Sequence, residues 1–404
     1  MSGIVLTAAV RQNLLSLQST ADLLATTQNR LSTGKKVNTA LDNPTNFFTA
    51  QGLDNRASDI NNLLDSIGNG VQVLQAANTG ITSLQKLVDT AKSIANQVLQ
   101  APTGYSSKAN TTTNAPAAPG TATDFTNGGT NTLQGQALTF KTSTGTLSLT
   151  ITNAAGATNV NSIDALNTAL TNAGVNLSAS FNAAGTITFT STNDAASQVI
   201  TNSGVAPTVG GKVDISGGAA ITGLTVTAAV ADAASQTIRS NLVSQYNNII
   251  TQITTTSQDA SFNGINLLNG DDLKLTFNET GKSTLNIKGV TYNAAGLGLA
   301  LLTSGTDFLD NNSANATLTK ISAASTTLRT EASTLGSNLS VVQIRQDFNK
   351  NLINVLQTGS SNLTLADTNE EAANSQALST RQSIAVSALA LANQSQQSVL
   401  KLLQ

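Results

Sequence analysis

The sequence predicts a mainly α protein with β. It describes a long antiparallel helical coiled-coil rod with paired N- and C-terminal helices, an inner-domain β-hairpin and an inserted β-rich outer domain of ββαββ type. Three observations carry this reading. Apolar stripes at heptad spacing open and close the chain. Between 101 and 235 the composition shifts to Thr, Ala, Gly, Asn and Pro, and apolar residues alternate. Alternation returns from 273 to 290 on either side of Asn278-Glu279-Thr280-Gly281.

The first stripe is Val10, Leu14, Leu17, Ala21, Leu24, Gln28, Leu31, with spacings of 4, 3, 4, 3, 4 and 3. That is a heptad seam, and Gly34 stands where a helix-stopping glycine is usual. Asn43 then suits a helix cap and Pro44 a first helical position. The second stripe runs from Ile60 through Leu64, Ile67, Leu74, Ile81, Leu84 and Val88 to Val98, and Pro102 closes it. A helix over 44–100 would be about 85 Å long. Gly52, Gly68, Gly70 and Gly80 each weaken it by about 1 kcal/mol relative to Ala, so packing has to hold it.

Residues 102–135 show little periodicity and read as loop. Strands follow at 138–140 and 147–151, then a short helix from Ser162 to Leu170 stopped by Gly174, then strands at 175–181 and 186–190. Further strand-like pieces lie between Val199 and Val230. Helical spacing resumes with Ile238, Leu242, Tyr246, Ile249 and Ile253, and the hairpin falls within 262–298. A third long stripe extends from Leu318 to Leu356, and Gly359 is expected to break it. Asp367 and Glu370 have capping-box spacing at the start of the fourth stripe, Leu378, Ala385, Leu389, Ala392, Val399, Leu403.

The domain organisation follows. Residues 1–34 and 364–404 form the terminal helices, with 35–43 and 358–363 as linkers. Residues 44–100 and 236–357 form the inner domain, and 101–235 the insert. From Ser379 to Gln404 the side-chain charges are Arg381 and Lys401, and Ile384, Val386, Leu389, Leu391, Leu400 and Leu402 do not share one face. A helix apolar on several faces expects several neighbours. Copies of the same two helices surrounding each other would supply them. Periodicity alone leaves an intramolecular bundle equally open.

The composition removes whole classes of function. Charged residues are 10% of the chain with a net charge of −2, which argues against a nucleic-acid binder or an anionic membrane surface as partner. There is no Cys, so disulfides and thiolate chemistry are excluded, and no His, so the commonest general base and metal ligand are missing. Gly34-Lys35-Lys36 lacks the glycine and the Ser/Thr of a phosphate loop. Gly296-x-Gly298 reads as a turn, and Asn269-Gly270-Asp271-Asp272 does not have calcium-loop spacing. Glu370 and Glu371 suit the N-terminal end of a helix dipole. The sequence therefore predicts no enzyme and no cofactor or metal. MSGIVLTAAVRQN has no basic region before its short apolar run, and the longest apolar stretch elsewhere, Ile384–Ala392, is far short of a membrane span, so neither a cleaved signal peptide nor a membrane anchor is expected.

Three segments carry a family resemblance. RLSTGKKVNTALDNPTNFFTA, from Arg30, resembles the N-terminal signature of bacterial flagellins. SIAVSALALANQSQQSVLKLLQ, from Ser383, resembles their C-terminus, and SFNGINLL at 261–268 with the hairpin after it resembles that of their inner domain. The match covers roughly 1–100 and 236–404. It implies a filament subunit whose paired terminal helices line the filament core, with long helices in an intermediate layer and an outward-facing insert. It also implies extracellular localisation in the bacterial flagellum, export through the flagellar type III apparatus without a cleaved signal peptide, and a secretion chaperone, filament cap and hook-junction proteins as partners.

Carried onto this chain, the assembly residues are Val10, Leu14, Leu17, Leu24 and Leu31 with Ile384, Leu389, Leu391, Val399, Leu400 and Leu403. Gly34, Lys35, Lys36, Asn43 and Pro44 form the spoke between layers; the two lysines are either solvated turn charges or half of a pair between subunits. There are departures. Asn43-Pro44-Thr45-Asn46-Phe47-Phe48 stands where many flagellins have a small-residue run, which resembles the alphaproteobacterial branch. In Leu84–Asp89, which aligns with the region innate immune receptors read in enteric flagellins, Lys86 matches in part and Val88 does not, which argues against receptor binding. The hook–filament junction protein shares the terminal helices, but the Ala392-Asn393-Gln394 and Val399-Leu400-Lys401-Leu402-Leu403 ending favours flagellin. A host-facing adhesin, with 101–235 as its binding part, is the alternative from another class.

Overall fold

The computed structural model describes residues 8–114, 133–181, 186–208, 211–218 and 224–402. In chain order the elements are α1 (Ala8–Thr33), α2 (Pro44–Gln100), β1 (Tyr105–Ser107), β2 (Asn110–Thr112), β3 (Ala137–Lys141), β4 (Thr146–Ile151) and β5 (Asn159–Val160). Then come α3 (Ile163–Asn172), β6 (Leu177–Phe181), β7 (Ile187–Ser191), β8 (Val199–Thr201), β9 (Lys212–Gly217), β10 (Thr225–Thr227) and β11 (Val230–Ala231). The chain closes with α4 (Ala233–Asp259), β12 (Leu273–Thr276), β13 (Thr284–Ile287), α5 (Asn311–Thr364) and α6 (Thr368–Leu402). Two compact units share these elements: Met1–Gln72, Lys274–Ile287 and Leu339–Gln404 in one, Val73–Leu273 and Lys288–Asn338 in the other.

In the first unit α1 packs against α6. The start of α2 packs against the end of α5 around Ala57, Ile60, Ile353 and Leu356, with Leu53, Leu64 and Leu352 partly buried beside them. Strands β12 and β13 pair as the expected hairpin. Three contacts fix it to the helices: the Asn349 amide donates to the Phe277 carbonyl at 3.0 Å, Arg56 pairs with Glu279 at 2.8 Å, and the Arg345 guanidinium lies 5.9 Å over the Phe277 ring. Gly70 gives way to Leu275, whose Cδ2 would stand 2.4 Å from an added Cβ. This glycine weakens α2 locally but admits the hairpin.

In the second unit α2 buries Ile81, Leu84, Val88, Ala91 and Val98, and α4 buries Leu242, Tyr246, Ile250 and Ile253. The insert has its own core. The β5-β4-β3-β9-β8 and β10-β2-β7-β6 sheets share with α3 a cluster that includes Phe140, Ile151, Leu166, Leu170, Phe189 and Ile215. The Phe140 and Phe189 rings meet edge-on at 5.3 Å. Helix α3 starts where the Ser162 hydroxyl accepts from the Ala165 amide. Arg239, 1% exposed, holds the root of the insert. It donates to the carbonyls of Pro102 and Phe308, both at 3.0 Å.

Two expectations are corrected. The stretch expected as loop contains β1 and β2, because β11 and β7 offer them edges. The expected order of two strands, a helix and two strands is present as β3, β4, α3, β6 and β7, with the short β5 before α3; β3 and β4 lie in one sheet, β6 and β7 in the other. Alternation identifies a strand, but its neighbours here, β2 and β9, come from outside the stretch. Gly359 does not break the helix, and the expected linker 358–363 is helical to Thr364. Packing outweighs a glycine penalty of about 1 kcal/mol: an added Cβ on Gly359 would lie 3.4 Å from Leu53 Cδ1.

The helical glycines can be told apart by substitution. Gly52 faces open space, so Gly52→Ala should stabilise the chain by up to about 1 kcal/mol in urea unfolding. An added Cβ on Gly80 would lie 2.6 Å from Ala260 Cβ and 2.7 Å from Leu268 Cδ1, so Gly80→Ala should destabilise it. Equal effects of the two changes would mean that the close approach at Gly80 has no energetic weight.

Candidate assembly surface

The pairing of α1 and α6 leaves a seam of reduced exposure at Val10, Asn13, Leu17, Thr20, Leu24, Thr27 and Arg30 on α1, with Ala21 of the predicted stripe beside Thr20. The facing seam on α6 is Glu371, Ser375, Leu378, Gln382, Ala385, Leu389 and Ala392. The α6 seam keeps the alternation of threes and fours that heptad packing needs, and the α1 seam keeps it as far as Thr27, with Arg30 three residues on. Most of these side chains are small or polar. At the end of the pair next to the bend Arg30 Nη1 meets Glu371 Oε1 at 3.3 Å, and Thr27 and Glu371 are buried.

The two chain segments beside the pair bond to each other. Gly34 takes φ +67°, a conformation that glycine adopts without strain and that ends α1. The Lys36 amide donates to the Thr364 carbonyl at 2.7 Å, and the Ala366 amide to the Gly34 carbonyl at 3.0 Å. Lys35 and Leu365 form an antiparallel bridge.

Past this bridge, Asp42 organises the bend. Its Oδ2 accepts from the amides of Asn38 at 2.9 Å and Thr39 at 2.8 Å, and from the Thr39 hydroxyl at 3.2 Å. The Thr39 and then the Asn38 amide hold this carboxyl below the usual carboxylate value. Asn43 Oδ1 accepts from the Asn46 amide at 3.0 Å, so Asn43 caps α2 and Pro44 is its first residue, as expected. Asp367 does the same for α6, accepting from the Asn369 amide at 2.9 Å.

Of the residues singled out from sequence, Val10, Leu17, Leu24 and Leu389 lie in the seam. Leu14, Leu31, Ile384 and Leu391 are exposed. The α1 seam corrects the predicted one: Asn13, Thr27 and Arg30 take places assigned to Leu14, Gln28 and Leu31. Small and polar side chains at these places let the helices approach closely, and Leu14 and Leu31 point elsewhere. Val399 and Leu400 belong to α6, but their side chains lie outside the described residues, as does Leu403 entirely. Lys35 and Lys36 are exposed and form no ion pair among the described residues.

Sequence reasoning missed Leu15 and Leu23, exposed on α1, while Val386, read from the sequence as part of an α6 apolar surface too wide for one partner, is exposed as well. It also missed the Arg30–Glu371 pair, since nothing local marks two charges 341 positions apart as partners. The terminal pair thus presents leucine, isoleucine and valine to solvent on faces that its partner helix does not reach. Among the described residues no helix is long and apolar enough to cross a membrane.

Comparison with known proteins adds to this geometry. The bacterial flagellin N-terminal helical region matches residues 5–116, and the bacterial flagellin C-terminal helical region matches residues 318–403. Flagellin FljM of Caulobacter vibrioides is 32% identical over 163 residues, covering 40% of this chain and 58% of that protein. Flagellin FljK of the same bacterium is 34% identical over 164 residues, with the same two coverages. Flagellin A of Rhizobium meliloti is 33% identical over 122 residues, 30% of this chain and 27% of that one. The chain therefore spans little more than half the length of the Caulobacter relatives it matches.

The bend has a pH dependence of known sign. A carboxyl whose folded pKa is lowered stabilises fully above its unfolded value, here 3.8, and loses that contribution as pH falls through the folded value. Amide-exchange protection at Asn38 and Thr39 should hold above pH 4, fade at lower pH, and be lost at every pH in Asp42→Ala. Protection that persists in Asp42→Ala would show that the carboxylate does not hold the bend.

Proposed function

The chain belongs to the bacterial flagellin family, of alphaproteobacterial type, by both of its terminal helical regions, and from that we propose that it is the structural subunit of a bacterial flagellar filament. The observation that carries the proposal is the half-covered terminal pair. Helix α1 leaves Leu14, Leu15, Leu23 and Leu31 in solvent and α6 leaves Ile384, Val386 and Leu391 there. Each side chain of this kind gains about 1.5–3 kcal/mol when fully buried. Further copies of the same two helices are the natural cover. A contact between unlike patches that does not close on itself extends as a helical polymer.

In this reading residues 1–34 and 364–404 carry the contacts between copies, through Val10, Leu14, Leu17, Leu24 and Leu31 and through Ile384, Leu389, Leu391, Val399, Leu400 and Leu403. The bend from Gly34 to Pro44 sets the angle at which the terminal pair leaves α2. The insert 101–235 is not needed for those contacts, because its core is its own. The protein acts outside the cell as part of the flagellum, for swimming, and its chemistry is that of packing rather than catalysis. A secretion chaperone, the filament cap and the hook-junction proteins are its expected partners. Export without a cleaved signal peptide belongs to the same reading.

Purified chain seeded with filament fragments should polymerise, as seen by electron microscopy. Removal of residues 1–33 and 366–404 together should abolish polymerisation. Replacement of 106–230 by a short link should leave it intact, since Tyr105 and Ala231 are paired neighbours across the root of the insert. Polymer from the chain without its termini would exclude the proposal.

A further inference from the structure

The second unit holds a cavity that assembly through α1 and α6 leaves unused. Its volume is about 530 Å³, many times the roughly 30 Å³ share of one water and within the about 300–1,000 Å³ of small-molecule sites. The turn between β3 and β4, the segment before β6, residues 195–198, the start of β9 and the start of α5 each supply part of its wall. All of these belong to the one unit. Among the described residues, the side chains lining it are hydroxyls, carboxamides, one carboxylate and one ammonium, with Ala195 and Ala316 as the apolar remainder and no aromatic ring. Small-molecule pockets are more often apolar and aromatic. This one offers a nucleobase nothing to stack on and an acyl chain no wall.

Its two charges do not suit a charged ligand. Asp310, 5% exposed, is already engaged: Oδ2 accepts from the Ser197 hydroxyl and Oδ1 from the Ser313 amide at 3.0 Å, which ties α5 to the insert. Lys212 is exposed; its ammonium opposes a cation, while Asp310 opposes an anion. One group is left without a partner. Gln198 lines the cavity and is 5% exposed, and its Oε1 meets no hydrogen-bond donor among the described residues. The Gln198 amide is bonded to the Ala195 carbonyl at 2.9 Å, so the backbone beneath it is held. A buried acceptor left unpaired costs free energy, and natural structures seldom leave one without a reason. Ser191 Oγ and Thr192 Oγ1, in the same stretch of chain, are unpaired too.

We propose that this cavity binds a neutral polyhydroxylated ligand, a monosaccharide, one of whose hydroxyls donates to Gln198 Oε1. The occupant has to bring a donor to Gln198 and meet groups that both give and accept hydrogen bonds, as the carboxamides of Asn176 and Asn312 and the hydroxyls of Thr142 and Thr144 do. A sugar carries such groups on every side and no charge. The site uses no residue of α1 or α6, so it stands apart from the filament reading.

The test uses the full chain as monomer, mixed in turn with D-glucose, D-galactose, D-mannose and N-acetyl-D-glucosamine, and reads binding by saturation-transfer NMR. Spermidine and citrate serve as charged controls. At least one sugar should show transfer and neither control should. Gln198→Leu keeps the bulk of the side chain and removes the acceptor, so it should weaken sugar binding about tenfold while the thermal midpoint stays or rises. Asn312→Ala, at an exposed position near the start of α5, should weaken it about threefold, and it decides the matter should Gln198→Leu not fold. Four sugars without transfer would mean that the cavity holds only water, and would overturn the proposal. So would a charged control that binds more tightly than the sugars, or sugar affinity unaltered in the folded variants.

Discussion

The terminal helices are set by a short backbone exchange between Gly34–Val37 and Thr364–Ala366. A single-seam helix has little stability in water, and α1 and α6 are poor in side chains that could hold them together unaided. Their facing positions include Thr27, Ser375, Gln382 and Ala385. Those residues permit closeness rather than supply much apolar burial. The bonds from Lys36 to Thr364 and from Ala366 to Gly34 remove the freedom of the two segments beside the pair. The Arg30–Glu371 contact adds a partly buried charge pair close by. With the ends fixed in this way, Leu14, Leu15, Leu23 and Leu31 of α1 and Ile384, Val386 and Leu391 of α6 are left facing outward.

The insert obeys the opposite rule. Phe140, Leu166, Leu170 and Phe189 are fully buried within it, so it satisfies its apolar surface alone. Its attachment is polar and local. The Asp232 amide bonds to the Gly104 carbonyl at 3.0 Å, β1 pairs with β11, and buried Arg239 gathers carbonyls from Pro102 and Phe308. A module closed in this way is free to vary without disturbing the terminal pair.

The acidic residues follow a common pattern. Asp42, Asp232 and Asp367 each accept amides that a turn or helix start would otherwise leave unpaired, and Asp271 accepts from the Asn266 amide. Hydrogen bonds from Ser235, side chain and backbone, lower the Asp232 carboxyl below its usual value just as amides lower Asp42. In a chain with so few charges, most well-placed carboxylates act as structural acceptors.

Much of this was legible in the sequence by itself. Heptad spacing located α1, α2, α5 and α6. Asn43-Pro44, Gly34 and Asp367 marked their ends, and the turn at 278–281 marked the hairpin. These signals are local, set by periodicity, capping chemistry and backbone freedom over a few residues. Three things were decided only by tertiary structure. Gly359 stays helical because α2 lies against it. The strands of the insert divide between two sheets because β2 and β9 provide the edges. The seam of α1 runs through Asn13, Thr27 and Arg30, while Leu14, Leu15 and Leu23 remain outside. Periodicity identifies which residues are apolar, but the closest approach of two backbones selects which of them a single partner covers.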